Sequence, residues 1–239
     1  MRKNDRQRWQ LAQRYERDWW QHVADRTDLR YYRTYAEDLI RRIAPFFTIQ
    51  QDTRILEVGS GAAGIVTHLP SGYRHAIDPL EDFFRSVEKF RKYRDPQVVY
   101  HRGMGEALPF ESESFDLVIM DNVLDHCQDP VQVIAEIHRV LVPGGCFYFR
   151  QNIYHRWGKF VRFWIELLRI DKGHPYTFSL RDIHTLVGRA GFEVLLCERR
   201  GYWTAWKRDL SSRRLKDKAK ALLLISRDVV TLFLQKRVP

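Results

Sequence analysis

A chain of 239 residues with 44% apolar and 13% aromatic side chains and a mean hydropathy of −0.45 can bury the core of one domain with appendages, which excludes a disordered polypeptide. Its longest apolar tract, ALLLISRDVVTLFL at 221–234, is broken by Arg227 and Asp228 and is too short to cross a bilayer. The net charge of +10 is uneven: residues 1–45 hold 11 basic and 7 acidic side chains, residues 46–198 hold 17 and 20, and residues 199–239 hold 12 and 3, so the middle is acidic and both ends are basic. The opening MRKNDRQRWQ lacks the apolar centre of a secretory signal, so no export is expected. Cys127, Cys146 and Cys197 are odd in number and far apart, which fits neither a disulfide framework nor a zinc site and leads to the expectation of reduced thiols, no metal and a cytoplasmic location.

Residues 4–44 read as two helices dense in aromatics, with Trp9, Tyr15, Trp19, Trp20, Tyr31, Tyr32 and Tyr35; such density reads first as packing. From Thr53 onward apolar runs alternate with helical patterns, the rhythm of a parallel sheet flanked by helices. RILEV, YRHAI, QVVY, FDLVIM and CFYFR are the first five strands. In DPVQVIAEIHRVLVPGG, Asp129 is placed to cap a helix and Pro130 suits its first turn. Val133, Ile134, Ile137 and Leu141 share one helical face, and Pro143 with Gly144 and Gly145 is expected to end it. SLRDIHTLVGRAGF opens with Ser179 and Asp182 at capping-box spacing and closes near Gly191. EVLLCER, a last helix around 209–226 and a strand in VVTLFLQKR complete the pattern. The basic stretch KRDLSSRRLKDKAK at 207–220 suits nucleic acid, anionic lipid or an acidic partner, or is a solvated helix face.

The stretch ILEVGSGAAG places Gly59, Gly61 and Gly64 in a turn that lets backbone approach a ligand and points helix N–H groups at it. That turn alone does not name the ligand. Glu57, two residues before the first glycine, would repel a pyrophosphate lying there and would attract a cation. S-adenosylmethionine carries an ammonium and a sulfonium and no phosphate. Asp78, 19 residues beyond Gly59, is placed for a ribose diol, a contact common to NAD and S-adenosylmethionine sites.

With GMGEALPFESESFDLVIMDNVLDH, RVLVPGG and RAGFEV in order after ILEVGSGAAG, residues 50–198 resemble the class I S-adenosylmethionine-dependent methyltransferases, in particular the branch with ubiquinone/menaquinone-type and other small-molecule enzymes. The resemblance implies an α/β fold: a Rossmann-like, seven-stranded, mostly parallel sheet with helices on both faces and an N-terminal helical extension. It implies a helical cap over 1–48 and a methyltransferase domain over 49–239, with an insertion at about 154–176 and a basic C-terminal helix–strand segment. It further implies that Glu57, Gly59, Ser60 and Gly61 hold the methionyl end of the cofactor, that Asp78 takes the ribose, and that Pro79 and Leu80 flank the adenine. In many relatives an aspartate reaches the adenine amino group where Met104 stands here, which leaves Gly105 and Glu106 for that contact. Asp121 and Asn122 would lie beside the methyl group.

Methyl transfer is an in-line displacement that alignment and water exclusion accelerate, and a base is needed only for a protonated acceptor. Candidates are Asp125 and His126 in DNVLDHC, and His174 with Tyr176 in DKGHPYTFS. The aromatic stretch YHRWGKFVRFWIELLRI at 154–170 corresponds to insertions that cover the acceptor in this family, so a small-molecule or lipid-linked acceptor is expected. No NPPY-like tetrad or paired cysteines mark a nucleobase methyltransferase, so nucleic acid is the less favoured partner. Peripheral membrane contact through the basic C-terminal segment, RNA methylation and a non-catalytic cofactor-binding role stay open at this point.

Overall fold

The computed structural model describes residues 3–167 and 176–238. Helices α1 (Lys3–Val23) and α2 (Tyr31–Ile43) precede strand β1 (Arg54–Val58). There follow β2 (Tyr73–Asp78), α3 (Glu81–Ser86), α4 (Glu88–Tyr93), β3 (Val98–Arg102), β4 (Phe115–Asp121), α5 (Pro130–Val140) and β5 (Leu141–Ile153). After them come α6 (Arg156–Leu167), α7 (Leu180–Arg189), β6 (Phe192–Arg199), α8 (Tyr202–Leu210), α9 (Leu215–Leu222) and β7 (Asp228–Lys236). The sheet order is β3-β2-β1-β4-β5-β7-β6, with β7 antiparallel to both neighbours and every other pairing parallel. This is the Rossmann-like sheet that the sequence predicts, and its order reverses between β1 and β4, where such sheets bind ligands at their carboxyl edge.

Side chains alternate across the strands, so the central strands feed two cores. On one face Leu56, Val58, Val118, Met120 and Phe147 pack against Val133, Ile134 and Ile137 of α5 and Ile183 and Val187 of α7. On the other, Ile55, Ala76, Leu117, Ile119 and Tyr148 pack under Tyr32, Ala36, Leu39 and Ile43 of α2, with Trp20, Phe84 and Phe90. Glu57 shares the parity of Ile55, so the pleat drives a carboxylate beneath the α1–α2 layer.

Both predicted caps form: Asp129 accepts from the amides of Val131 and Gln132, and Ser179 and Asp182 make a reciprocal capping box. Two boundaries differ from expectation. The helix after Asp129 ends at Val140, and Leu141 is the first residue of β5 rather than part of the helical face, because it pairs with Phe115 in the sheet and its carbonyl accepts from Lys236 Nζ. The single helix expected around 209–226 is two short ones: Ser212 Oγ bonds Asp217 and accepts from the Arg214 amide, which starts a new helix where the old one stops. No helix of the described residues is long and apolar enough to cross a membrane.

Candidate cofactor and acceptor site

A cavity of about 330 Å³ opens at the carboxyl edge of β1, β2 and β4, within the range of small-molecule sites. Its wall gathers Glu57, Gly59, Ser60, Gly61, Asp78, Pro79, Leu80, Gly105, Glu106, Asp121, Asn122 and His126, which sequence reasoning had named from four separate segments. Met104 lines it too. Asp125 lies behind the wall, buried, where its Oδ1 accepts from Gln151 Nε2 at 2.8 Å. His174 lies outside the described residues; Tyr176 donates its hydroxyl to the Gln128 carbonyl at 2.8 Å.

The glycine turn is shaped by what presses on it. Gly59 has φ +76°, and a Cβ there would lie 2.4 Å from Val123, so both backbone and space demand glycine. A Cβ on Gly64 would lie 2.6 Å from Glu57 Oε2. That carboxylate is turned beneath the loop, where it accepts from the Val66 amide at 2.7 Å and caps a 3₁₀ turn at Ile65–His68. The glycines lead into this short turn, and its leading amides are taken by Glu57. The loop is braced from outside as well: Tyr32 donates to the Ser60 carbonyl at 3.3 Å, and Asp78 Oδ2 accepts from the Gly61 amide at 2.9 Å. Arg94, its side chain 7% exposed, makes a two-pronged pair with Glu81 at 2.8 Å for each prong and donates Nε to the Ala62 carbonyl at 2.8 Å, tying the glycine loop to the segment after β2.

Electrostatically the cavity is acidic. Glu16, Glu57, Asp78, Glu106 and Asp121 face it, and its one guanidinium, Arg150, is held by Asp121 at 2.6 Å and stacks 4.0 Å from the Tyr35 ring. Burial, reinforced by Asp121 and Asp78, pushes the Glu57 carboxyl up to about 8 against the pull of the Val66 and Ile65 amides. Burial, with Glu16, pushes Asp78 up to about 7; burial also raises Asp121 despite Arg150. Carboxyls under this penalty are stabilised by any cation that reaches them. A diphosphate would meet the opposite: five acids and a guanidinium already engaged. Ser60 Oγ and Gln13 Oε1 are buried without hydrogen-bond partners, two unmet polar groups on the cavity wall. Glycine cradle, acidic wall and unmet polar atoms fit a cationic nucleoside such as S-adenosylmethionine. Glu106 only half fits its expected adenine role, since its Oε1 accepts from the amides of Gln128 and Asp129.

Sequence reasoning missed the roof. Trp9, Gln13, Glu16, Trp20, Tyr31, Tyr32 and Tyr35 all line the cavity, so the aromatic density of residues 4–44, read as packing, serves packing and enclosure together. Trp20 shows both roles: it meets Phe84 and Phe90 edge-on while closing the pocket. Helix α1 also brings Glu16 to His126, with Oε2 3.5 Å from Nδ1, and Asp125 Oδ1 lies 4.0 Å from Nε2. Among the described residues no group of histidines, cysteines or carboxylates is arranged to hold a metal ion.

A family model described as a methyltransferase domain matches residues 56–149. YrhH, a methyltransferase homologue from Bacillus subtilis, is 32% identical over 126 residues, which are 51% of this chain and 68% of that protein. The demethylmenaquinone methyltransferase of Chlorobaculum parvum is 30% identical over 102 residues, 41% of each chain; the chain thus spans about two fifths of that relative's length. Among solved structures, the Haemonchus contortus phosphoethanolamine N-methyltransferase 2, in complex with phosphomonomethylethanolamine and S-adenosylhomocysteine, superposes with a TM-score of 0.61 at 16% identity over 86% of this chain and 53% of that one. The switch point of the sheet, the glycine cradle with its acidic wall and these likenesses converge, and the chain belongs to the class I S-adenosylmethionine-dependent methyltransferases.

Proposed function

We propose that the protein transfers the methyl group of S-adenosylmethionine to a small-molecule or lipid-linked acceptor. The observation that carries this reading is the cavity whose glycine turn is enclosed by five carboxylates and an aromatic roof, an environment for a cationic donor and a bulky apolar acceptor. The demethylmenaquinone methyltransferase and the phosphomonomethylethanolamine complex among its likenesses support a small or lipid-linked acceptor. When bound, S-adenosylmethionine supplies an electrophilic methyl on a sulfonium. Glu57, Asp121 and the Gly59–Gly61 backbone orient its amino-acid end, and Asp78 accepts from the ribose. The roof excludes water, and Asn122, held with φ +57°, turns the chain at the end of β4 towards the acceptor. His126, set between Glu16 and Asp125, is the group placed to take a proton from an acceptor hydroxyl.

The test is transfer of isotope from labelled S-adenosylmethionine into an extract, read by mass spectrometry. Label in a small molecule or lipid fraction is expected; label in RNA overturns the acceptor class, and tight binding without any transfer overturns the enzymatic reading.

A second expectation concerns pH. Glu57 and Asp78, raised to about 8 and about 7 in the free protein, must ionise to meet the cofactor's ammonium and hydroxyls. Binding therefore releases protons below those values, and affinity rises with pH, by about 25-fold between pH 6.5 and 7.5, flattening above about 8. Calorimetry in buffers of different ionisation enthalpy reads the protons directly. A pH-independent Kd with buffer-independent heat would mean that these carboxyls do not face the ligand's charge.

A further inference from the structure

Three helices outside the cavity present their apolar side chains to solvent. Helix α6 is inverted: Arg162 is 7% exposed and Gly158 is buried, while Trp157, Phe160, Phe163 and Trp164 are each about half exposed. In α8, Trp203, Lys207 and Leu210 share the outer face, with Trp203 67% exposed. In α9, Leu215, Lys218 and Leu222 do the same at i, i+3 and i+7, the two leucines being 83% and 77% exposed, and Leu223 and Leu224 extend the line.

These helices form one surface. Trp157 Nε1 donates to the Leu223 carbonyl at 3.1 Å, the His155 ring nitrogen lies 2.8 Å from the Leu224 carbonyl, and Trp206 donates to the Ala221 carbonyl at 3.0 Å. The His155 ring also meets Tyr202 edge-on at 4.5 Å. Because Ile153 at the end of β5 pairs with Asp228 at the start of β7, and β6 runs parallel to β5, helices α6, α8 and α9 all leave or enter the sheet at its carboxyl edge. That is the edge at which the cavity opens.

Isolated exposed apolar residues are ordinary, but a continuous array across three helices marks a contact surface. Its charge names the contact. Residues 202–222 carry seven basic side chains and two acidic ones; Asp209 is buried beside Arg208 and Asp217 is paired with Lys220. Among the described residues, Lys207, Arg213, Lys216 and Lys218 have no carboxylate in salt-bridge range. Tryptophan and phenylalanine with interleaved lysine is the composition of helices that lie in the headgroup layer of an anionic bilayer. The exposed leucines argue against a nucleic acid, since they offer nothing to a phosphate or to a stacked base.

We propose that the outer faces of α6, α8 and α9 dock the protein on an anionic lipid bilayer, with the cavity's edge of the sheet turned towards the membrane. Docking is a property of this surface, independent of turnover, and its test needs no acceptor. The full chain is sedimented with vesicles of phosphatidylcholine alone and of phosphatidylcholine containing about a quarter phosphatidylglycerol, in salt from about 0.05 M to about 0.3 M. Partitioning at least tenfold greater onto the anionic vesicles is expected, weakening with salt. Each lysine is expected to contribute about fivefold, so Lys207→Ala with Lys218→Ala lowers partitioning by more than tenfold. Trp157→Ser with Phe160→Ser and Trp164→Ser does the same. In the unaltered protein, brominated lipid chains quench tryptophan fluorescence, a readout that no folding defect of a variant can mimic. Equal partitioning onto both vesicles, no quenching, RNA binding lost with the same lysines, or a dimer dispersed by the tryptophan substitutions would each overturn the proposal.

Discussion

Glu57→Gln is expected to raise the thermal stability of the free protein and, at the same pH, to weaken S-adenosylmethionine binding by about 100-fold. Both effects come from one buried carboxyl. Glu57 has an ordinary value of 4.5 and is pushed to about 8 in the fold, chiefly by burial. Between those two values the unfolded chain has already lost the proton that the folded chain keeps, so stability falls as pH rises and the penalty is essentially complete by pH 8. Glutamine retains an oxygen for the Val66 and Ile65 amides and has no charge to bury. The gain at pH 8 is about 4 kcal/mol, or about 8–16 °C in Tm for a chain of this size. The same substitution removes the anion facing the cofactor's ammonium, a charge-assisted contact worth about 3 kcal/mol. Melting and calorimetry at pH 8 check both. A variant that binds like its parent would reduce Glu57 to the cap of the Ile65–His68 turn, and a variant that melts lower would mean the carboxyl is not strained.

That double role of Glu57 marks where sequence reasoning stops. Its sign of charge was legible, because a carboxylate beside a glycine turn conflicts with a diphosphate whatever the rotamer. Its proton was not, because the shift depends on α2 packing over β1, a contact between segments far apart in the chain. The sheet was readable for the same reason that the caps at Asp129 and Ser179 were: each is specified by residues a few positions apart. Leu141 was misplaced because helical period and buried strand start look alike over one residue, and only its pairing with Phe115 decides. Arg150, Tyr31 and Tyr35 were missed at the site because nothing local in CFYFR or in the aromatic N-terminal helices says that they converge. Their meeting is visible only where Arg150 lies over the Tyr35 ring. The break at Ser212 was missed because an exposed basic helix lacks the apolar pattern that would have located its ends.

Arg94→Met is expected to lower stability by about 3–5 kcal/mol, or about 10 °C in Tm. Arg94 and Glu81 have side chains 7% and 6% exposed and meet through two parallel hydrogen bonds, and the guanidinium lies 3.9 Å from the Tyr100 ring. Removing the arginine alone strands Glu81 as a buried, unpaired acid, and that desolvation drives the loss more than the missing attraction does. Arg94→Met combined with Glu81→Leu therefore recovers most of the stability, since no charge is left behind. Cofactor affinity behaves differently. The Arg94 Nε bond to the Ala62 carbonyl is absent in both variants, and with it the tether between the glycine loop and the segment that follows Asp78, so both bind S-adenosylmethionine about tenfold more weakly than the parent. Denaturation separates the first effect and calorimetry the second. If the single substitution costs less than about 1 kcal/mol, the pair is not desolvated as the structure places it. If the double variant binds like the parent, the two loops hold their shape without the clamp, and the ion pair stabilises the fold alone.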